Sequence, residues 1–181
     1  MKALLIIDMQ KISFTPETPR YDSDGVIRRI NKLAEVFRKK DDVIILIQHD
    51  GSTENFCSPG TEEWEILSEL VNHKNDCIVP KTVNDAFYHS ELKEILQRLD
   101  IEELVITGCA TDFCVDSTVK SALINDYKVT VISDGHTTAD RTKISAQLLI
   151  EHYNWIWSEM TPAKHAIKVI SFDDYIKLNP Q

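Results

Sequence analysis

The chain alternates short apolar runs with longer stretches of helical periodicity, and this alternation limits its fold more than any other feature. Residues 3–7, 43–47, 77–79, 104–106, 129–132 and 167–170 are each too short for a helix and, apart from Thr130 and Lys168, apolar at successive positions, as strands covered on both faces are. Between them, Val26, Ile30, Leu33, Ala34 and Phe37 recur at helical spacing. So do Leu92, Ile95, Leu96 and Leu99, then Val115, Val119, Ala122 and Leu123, and last Ile144, Leu148, Leu149, His152 and Tyr153. Strand and helix in turn predict an α/β fold: a three-layer α/β/α sandwich whose mostly parallel six-stranded sheet carries helices on both faces. The 181 residues contain no repeat, low-complexity tract or linker, so residues 1–181 are expected to form one domain.

Charge and punctuation remove several function classes. There are 29 acidic residues against 20 Lys and Arg, a net charge of −9, which speaks against nucleic-acid binding because phosphate contacts need a basic face. The five glycines are too scattered to write a G-x-G-x-x-G or a Walker loop, which excludes the dinucleotide and P-loop readings. Cys57, Cys77, Cys109 and Cys114 form no C-x-x-C pair, against a zinc ribbon or a thioredoxin motif. The apolar stretch of residues 3–7 stops at Asp8 and is too short for a signal peptide or a membrane span. The expectation is therefore a cytoplasmic protein with reduced thiols and no membrane partner.

A parallel sheet also predicts where chemistry gathers, since ligands bind beyond the carboxyl ends of the strands. Three reactive residues fall at such ends. Asp8 closes the first run, Lys81 follows the third, and Cys114 comes after the fourth, just before the helical pattern that begins at Val115. A thiol at a helix N-terminus has its thiolate stabilised by the dipole and the free N–H groups. Taken singly, Asp8 reads equally as a polar stop or helix cap, Lys81 as a solvated loop residue, and Cys114 as a small core residue.

Three blocks carry a resemblance when read together: Leu4-Leu5-Ile6-Ile7-Asp8-Met9-Gln10, Val79-Pro80-Lys81, and the stretch from Thr107 through Gly108, Cys109 and Cys114 to Val115. The chain resembles the isochorismatase-like cysteine hydrolase superfamily in these segments and in their order. Asp134-Gly135-His136-Thr137-Thr138-Ala139-Asp140 and His152-Tyr153-Asn154 resemble two further segments of that family.

The resemblance implies a Cys–Asp–Lys triad. Cys114 would be the nucleophile, Asp8 the general base and acid, and Lys81 the cation that supports the thiolate and lowers the thiol pKa. It also implies an oxyanion hole made by the backbone N–H groups of Ala110 and Cys114, next to a cis peptide at Cys109–Ala110. Cys109 is then a structural residue. Thr111 and Asp112 either hold this loop or cap the helix.

Nicotinamidase-like members carry an Asp-x-His pair and a further His that bind a divalent ion. The corresponding stretch is Gln48-His49-Asp50-Gly51, with His before Asp and no second His until His73, so the resemblance is to the metal-free amidohydrolase branch, with no metal and no cofactor. In that branch Phe14, Phe56, Trp64 and Phe87 correspond to apolar walls of the substrate pocket, or else to ordinary core. His49 either hydrogen-bonds the substrate or caps its strand. His136, beside Asp134, reads as structural.

The function implied is hydrolysis of a C–N bond in a small amide, lactam or ureide through a covalent thioester. The alternatives are a vinyl-ether hydrolase of the isochorismatase type, where the nucleophile position is typically not Cys, and a non-catalytic binding module on the same scaffold. A Cys109–Cys114 redox pair ranks behind these. Trp155-Ile156-Trp157 is either subunit packing or a contact in a homo-oligomer, the family being commonly dimeric or tetrameric.

Overall fold

The computed structural model describes residues 1–180. Six strands, β1 (Lys2–Ile7), β2 (Val43–His49), β3 (Cys77–Lys81), β4 (Glu103–Cys109), β5 (Lys128–Thr137) and β6 (Lys168–Ile170), form one sheet in the order β3-β2-β1-β4-β5-β6. Every pairing is parallel. The helices are α1 (Ser23–Lys39), α2 (Leu92–Arg98), α3 (Asp116–Ile124), α4 (Ala146–Glu159) and α5 (Phe172–Leu178).

The period-two geometry of the strands sorts their side chains into two cores. Ala3, Leu5 and Ile7 of β1 and Ile45 and Ile47 of β2 face one way and pack with α2, α3 and Trp157 of α4. Leu4, Ile6, Ile44 and Leu46 face the other way and pack with Ile30, Leu33 and Phe37 of α1 and Tyr175 of α5. Both faces are covered, which gives the three layers expected. Among the described residues, no helix is long and apolar enough to cross a membrane.

Several boundaries differ from the sequence reading for identifiable reasons. β3 lies at the sheet edge, so Ile78 is 53% exposed and not buried as a central strand residue would be. The last long helix runs on to Glu159 through Trp155 and Trp157, and α5 is a helix absent from the periodic pattern, capped by Ser171, whose hydroxyl accepts from Asp174 N–H. Trp157 is wholly buried and donates from its indole to Asp116 Oδ1 at 3.0 Å. Trp155 is the exposed partner of the pair, stacked on His152.

The strand order reverses direction at β1: successive strands run outward through β2 to β3, then return to the other side at β4. The carboxyl ends of β1 and β4 therefore flank the crevice that such a switch point opens. Gly108 makes their close approach possible. Its φ is +121°, and a Cβ at that position would lie 2.2 Å from the Ile7 carbonyl oxygen, so only a residue without a side chain fits.

Candidate active site

Asp8 follows β1 with a left-handed backbone, φ 46°, and its N–H is held by the Ile47 carbonyl at 3.0 Å. Lys81 ends β3, two strands away from β1. Its stem is fully enclosed and its ammonium reaches Asp8 Oδ2 at 2.7 Å. The same nitrogen lies 3.0 Å from the Val83 carbonyl, 3.4 Å from Cys114 Sγ and 3.5 Å from His49 Nδ1. Thus the three residues from distant segments meet around one ammonium group. Asp8 Oδ1 is buried and has no hydrogen-bond partner.

Cys114 sits within a wide π-type turn, Thr111–Val115, that leads into α3 from β4. The helix proper starts at Asp116, one residue later than the apolar pattern had suggested. The Cys109–Ala110 peptide before the turn is cis, and the Ala110 carbonyl accepts from Phe113 and Val115 N–H.

Two networks brace this turn. Asp112 accepts the guanidinium of Arg141 through both oxygens, at 2.8 and 3.0 Å, and the Thr138 hydroxyl at 2.6 Å. Burial would raise its pKa, but the hydrogen bonds from Arg141 and Thr138 outweigh that and hold the carboxyl below its usual range. On the inner side Thr111 Oγ1 meets His136 Nδ1 at 2.8 Å, and His136 Nε2 meets Asn154 Oδ1 at 3.0 Å. Complete burial pulls the His136 pKa down to about 4, so the ring is a neutral strut. Asp134 turns away from that ring: its Oδ1 accepts the Phe172 N–H.

The electrostatics correct one expectation. Where the resemblance implies a lowered thiol pKa at Cys114, burial and then the charge of Asp8 push it up, against a smaller opposing pull from Lys81. Burial would lower the Lys81 pKa, but the Asp8 carboxylate and the hydrogen bond to it raise it further, so the ammonium keeps its protons. The Lys81 ammonium therefore stands beside a thiol whose ionisation burial opposes. Cys109 is fully buried, its thiol pushed up to about 12 by desolvation, so it is an inert core residue. All four cysteines are free thiols.

The remaining residues singled out from the sequence divide. His49 joins the triad through Lys81 and carries Phe56 against its ring, centroids 5.7 Å apart. Trp64 is half-buried. Its carbonyl accepts from both Gln10 Nε2 at 2.9 Å and Gln48 Nε2 at 3.1 Å, while its indole N–H is buried without a partner. Phe14 packs on the α1 side of the sheet, and Phe87 packs into the opposite core with its ring tilted against Tyr127.

Two residues that lie in segments read from the sequence, but without a role assigned there, reach the site. Asn84 is exposed and brings Oδ1 to 3.6 Å from Cys114 Sγ. Gln10 grips the His49 main chain from both sides, accepting its N–H at 2.7 Å and donating to its carbonyl at 3.1 Å. Position was the available signal, since each lies only a few residues beyond a triad member.

Among the described residues no group of three or more His, Cys, Asp or Glu side chains is placed to hold a metal ion. A groove of about 870 Å³ along α1 shares no residue with the triad, and four of the cations that line it, Arg29, Lys32, Arg38 and Lys39, are paired with Asp134, Glu35, Asp76 and Glu35 in turn.

A family model described as the isochorismatase domain matches residues 2–163. A streptothricin hydrolase of Streptomyces noursei is 27% identical over 140 residues, covering 77% of this chain and 56% of that protein. The ureidoacrylate amidohydrolase RutB of Variovorax paradoxus is 34% identical over 79 residues, 44% of this chain and 31% of the relative. The chain thus spans only about half, or less, of the length of these two relatives. A crystal structure of an isochorismatase family protein superimposes with a TM-score of 0.86 at 28% identity, covering 94% of this chain and 98% of that one.

Proposed function

The chain belongs to the isochorismatase family of hydrolases, and from that premise we propose that it cleaves a C–N bond of a small amide, lactam or ureide with Cys114 as nucleophile. The observation that carries this reading is the single ammonium of Lys81, which touches both Asp8 Oδ2 and Cys114 Sγ. The names of two relatives, a streptothricin hydrolase and a ureidoacrylate amidohydrolase, support the substrate class.

The chemistry follows from the charge state. The thiol is neutral at rest, so it must lose its proton as it attacks, and the unpartnered Asp8 Oδ1 is the base available to take it. Sulfur adds to the carbonyl carbon, and the oxyanion is met by the N–H groups of Ala110 and Cys114, a donor of this kind contributing about 3 kcal/mol. Asp8 then returns the proton to the leaving nitrogen, and the C–N bond breaks to give a thioester and an amine. A water molecule, deprotonated by Asp8, hydrolyses the thioester and restores the thiol. Lys81 keeps all its protons throughout and holds the charges together.

The test is a panel of small amides, lactams and ureides with released ammonia or amine as the readout. Turnover in the wild type, an acyl adduct on Cys114 in intact-mass spectra, and loss of both in a folded Cys114→Ala variant are expected. Undiminished turnover by Cys114→Ala overturns the reading.

A further inference from the structure

Sheet order forces an encounter that the triad alone does not require. β2 lies between β3 and β1, so a side chain running from the end of β3 to Asp8 must cross the end of β2. His49 occupies that end and pairs with Lys81 in register.

Lys81 Nζ has four partners within 3.5 Å: Asp8 Oδ2 at 2.7 Å, Val83 O at 3.0 Å, Cys114 Sγ at 3.4 Å and His49 Nδ1 at 3.5 Å. An ammonium group has three protons. The two short contacts to oxygen take two of them, so the third is shared between sulfur and imidazole. To accept it, His49 must be neutral with its own proton on Nε2. That atom faces Glu54 Oε2 at 3.9 Å, too far for a hydrogen bond. The ring is held where it is by the double grip of Gln10 on the His49 main chain and by Phe56.

We propose that His49 is a positioning residue that accepts the third Lys81 proton while Cys114 is a thiol and gives it up to the sulfur as the thiolate forms. This rests on the reading of Cys114 as nucleophile. The Cys114 S–H bond breaks and an O–H bond forms at Asp8; Lys81 redirects one hydrogen bond from nitrogen to sulfur, and His49 keeps the same proton count. Nothing is oxidised or reduced. Protonated His49 cannot perform this part, because it has no lone pair for Lys81 and puts a second cation beside the first.

The groups facing His49 are Lys81 and Asp8 at the strand ends and Asp50 and Glu54 in the loop that follows it. Burial and Lys81 lower its pKa, against the opposite influence of Asp8, Glu54 and Asp50. Thiol reactivity should therefore show an acid limb below the ordinary imidazole range, set by His49.

Iodoacetamide alkylation of Cys114 in the full-length protein, followed by peptide mass across pH, reads this without a known substrate. His49→Asn keeps an acceptor near the place of Nδ1, whereas His49→Gln puts it near that of Nε2. At neutral pH the Asn variant should lose no more than about threefold in rate and the Gln variant about tenfold or more, the effect of one missing hydrogen bond. The part of the acid limb set by His49 should disappear from both. An unchanged acid limb in His49→Asn overturns the proposal, and so does an equal loss in the two variants. If Cys114 of the wild type proves no more reactive than Cys77 at any pH, the nucleophile reading fails first and takes this proposal with it.

Discussion

The Lys81 ammonium and the Asp8 carboxylate form an ion pair 2.7 Å apart, with side chains only 0% and 8% exposed. Removing either member leaves an uncompensated buried charge, which costs about 3–5 kcal/mol. Lys81→Met and Asp8→Asn should each lower stability by that order in urea unfolding. The double variant should be more stable than the sum of the two losses predicts, and simple additivity would contradict a direct pair.

Gly108 is the backbone counterpart of that pair, since it lets β4 approach Asp8. With φ at +121° and a Cβ 2.2 Å from the Ile7 carbonyl oxygen, Gly108→Ala must displace β1 or β4. We expect a loss of roughly 3 kcal/mol or more, or failure to accumulate as folded protein. Denaturant midpoints check this, and a variant within about 0.5 kcal/mol of wild type contradicts the close approach.

His136 makes stability depend on pH. Its folded pKa of about 4 lies below the ordinary 6.5, so the neutral ring favours the folded state. That contribution is complete above about pH 6.5 and disappears as pH falls to about 4. Over this window the unfolding free energy of the wild type should fall more steeply than that of His136→Gln, by about 1.4 kcal/mol per pH unit. Equal slopes would mean that the ring is not buried neutral.

The Asp112–Arg141 pair acts on the nucleophile turn from outside. Asp112→Asn keeps the shape but removes the charge that receives the bidentate guanidinium, with an expected loss of about 1.5–3 kcal/mol. Because Asp112 is two residues from Cys114, kcat should fall while KM changes little. A variant that changed only KM would place Asp112 at the substrate instead.

The alternation of β-branched runs and helical periods was enough to state the layers and the strand count, because a strand covered on both faces is apolar at most positions and not only at alternate ones. Asp8, Lys81 and Cys114 were legible for a related reason: each follows such a run within a few residues, Asp8 and Lys81 directly at its end and Cys114 just before the next helical pattern. The helix α5 was not legible, and neither was the exposure of β3. α5 is short, and β3 is an edge strand whose outward Ile78 looks in sequence like a core residue.

What tertiary structure alone decided is the partner of each group. Sequence spacing cannot say that β2 lies between β3 and β1, and it is that order which brings His49 to Lys81. Nor can it weigh burial against charge at Cys114, whose neighbours Asp8 and Lys81 pull in opposite directions. The apolar and polar order along the chain sets which elements form, since that depends on local periodicity. The protonation state of the thiol, the role of Gln10 and the division of Phe56 from Phe87 depend on distances between segments tens of residues apart, and only the folded chain sets those.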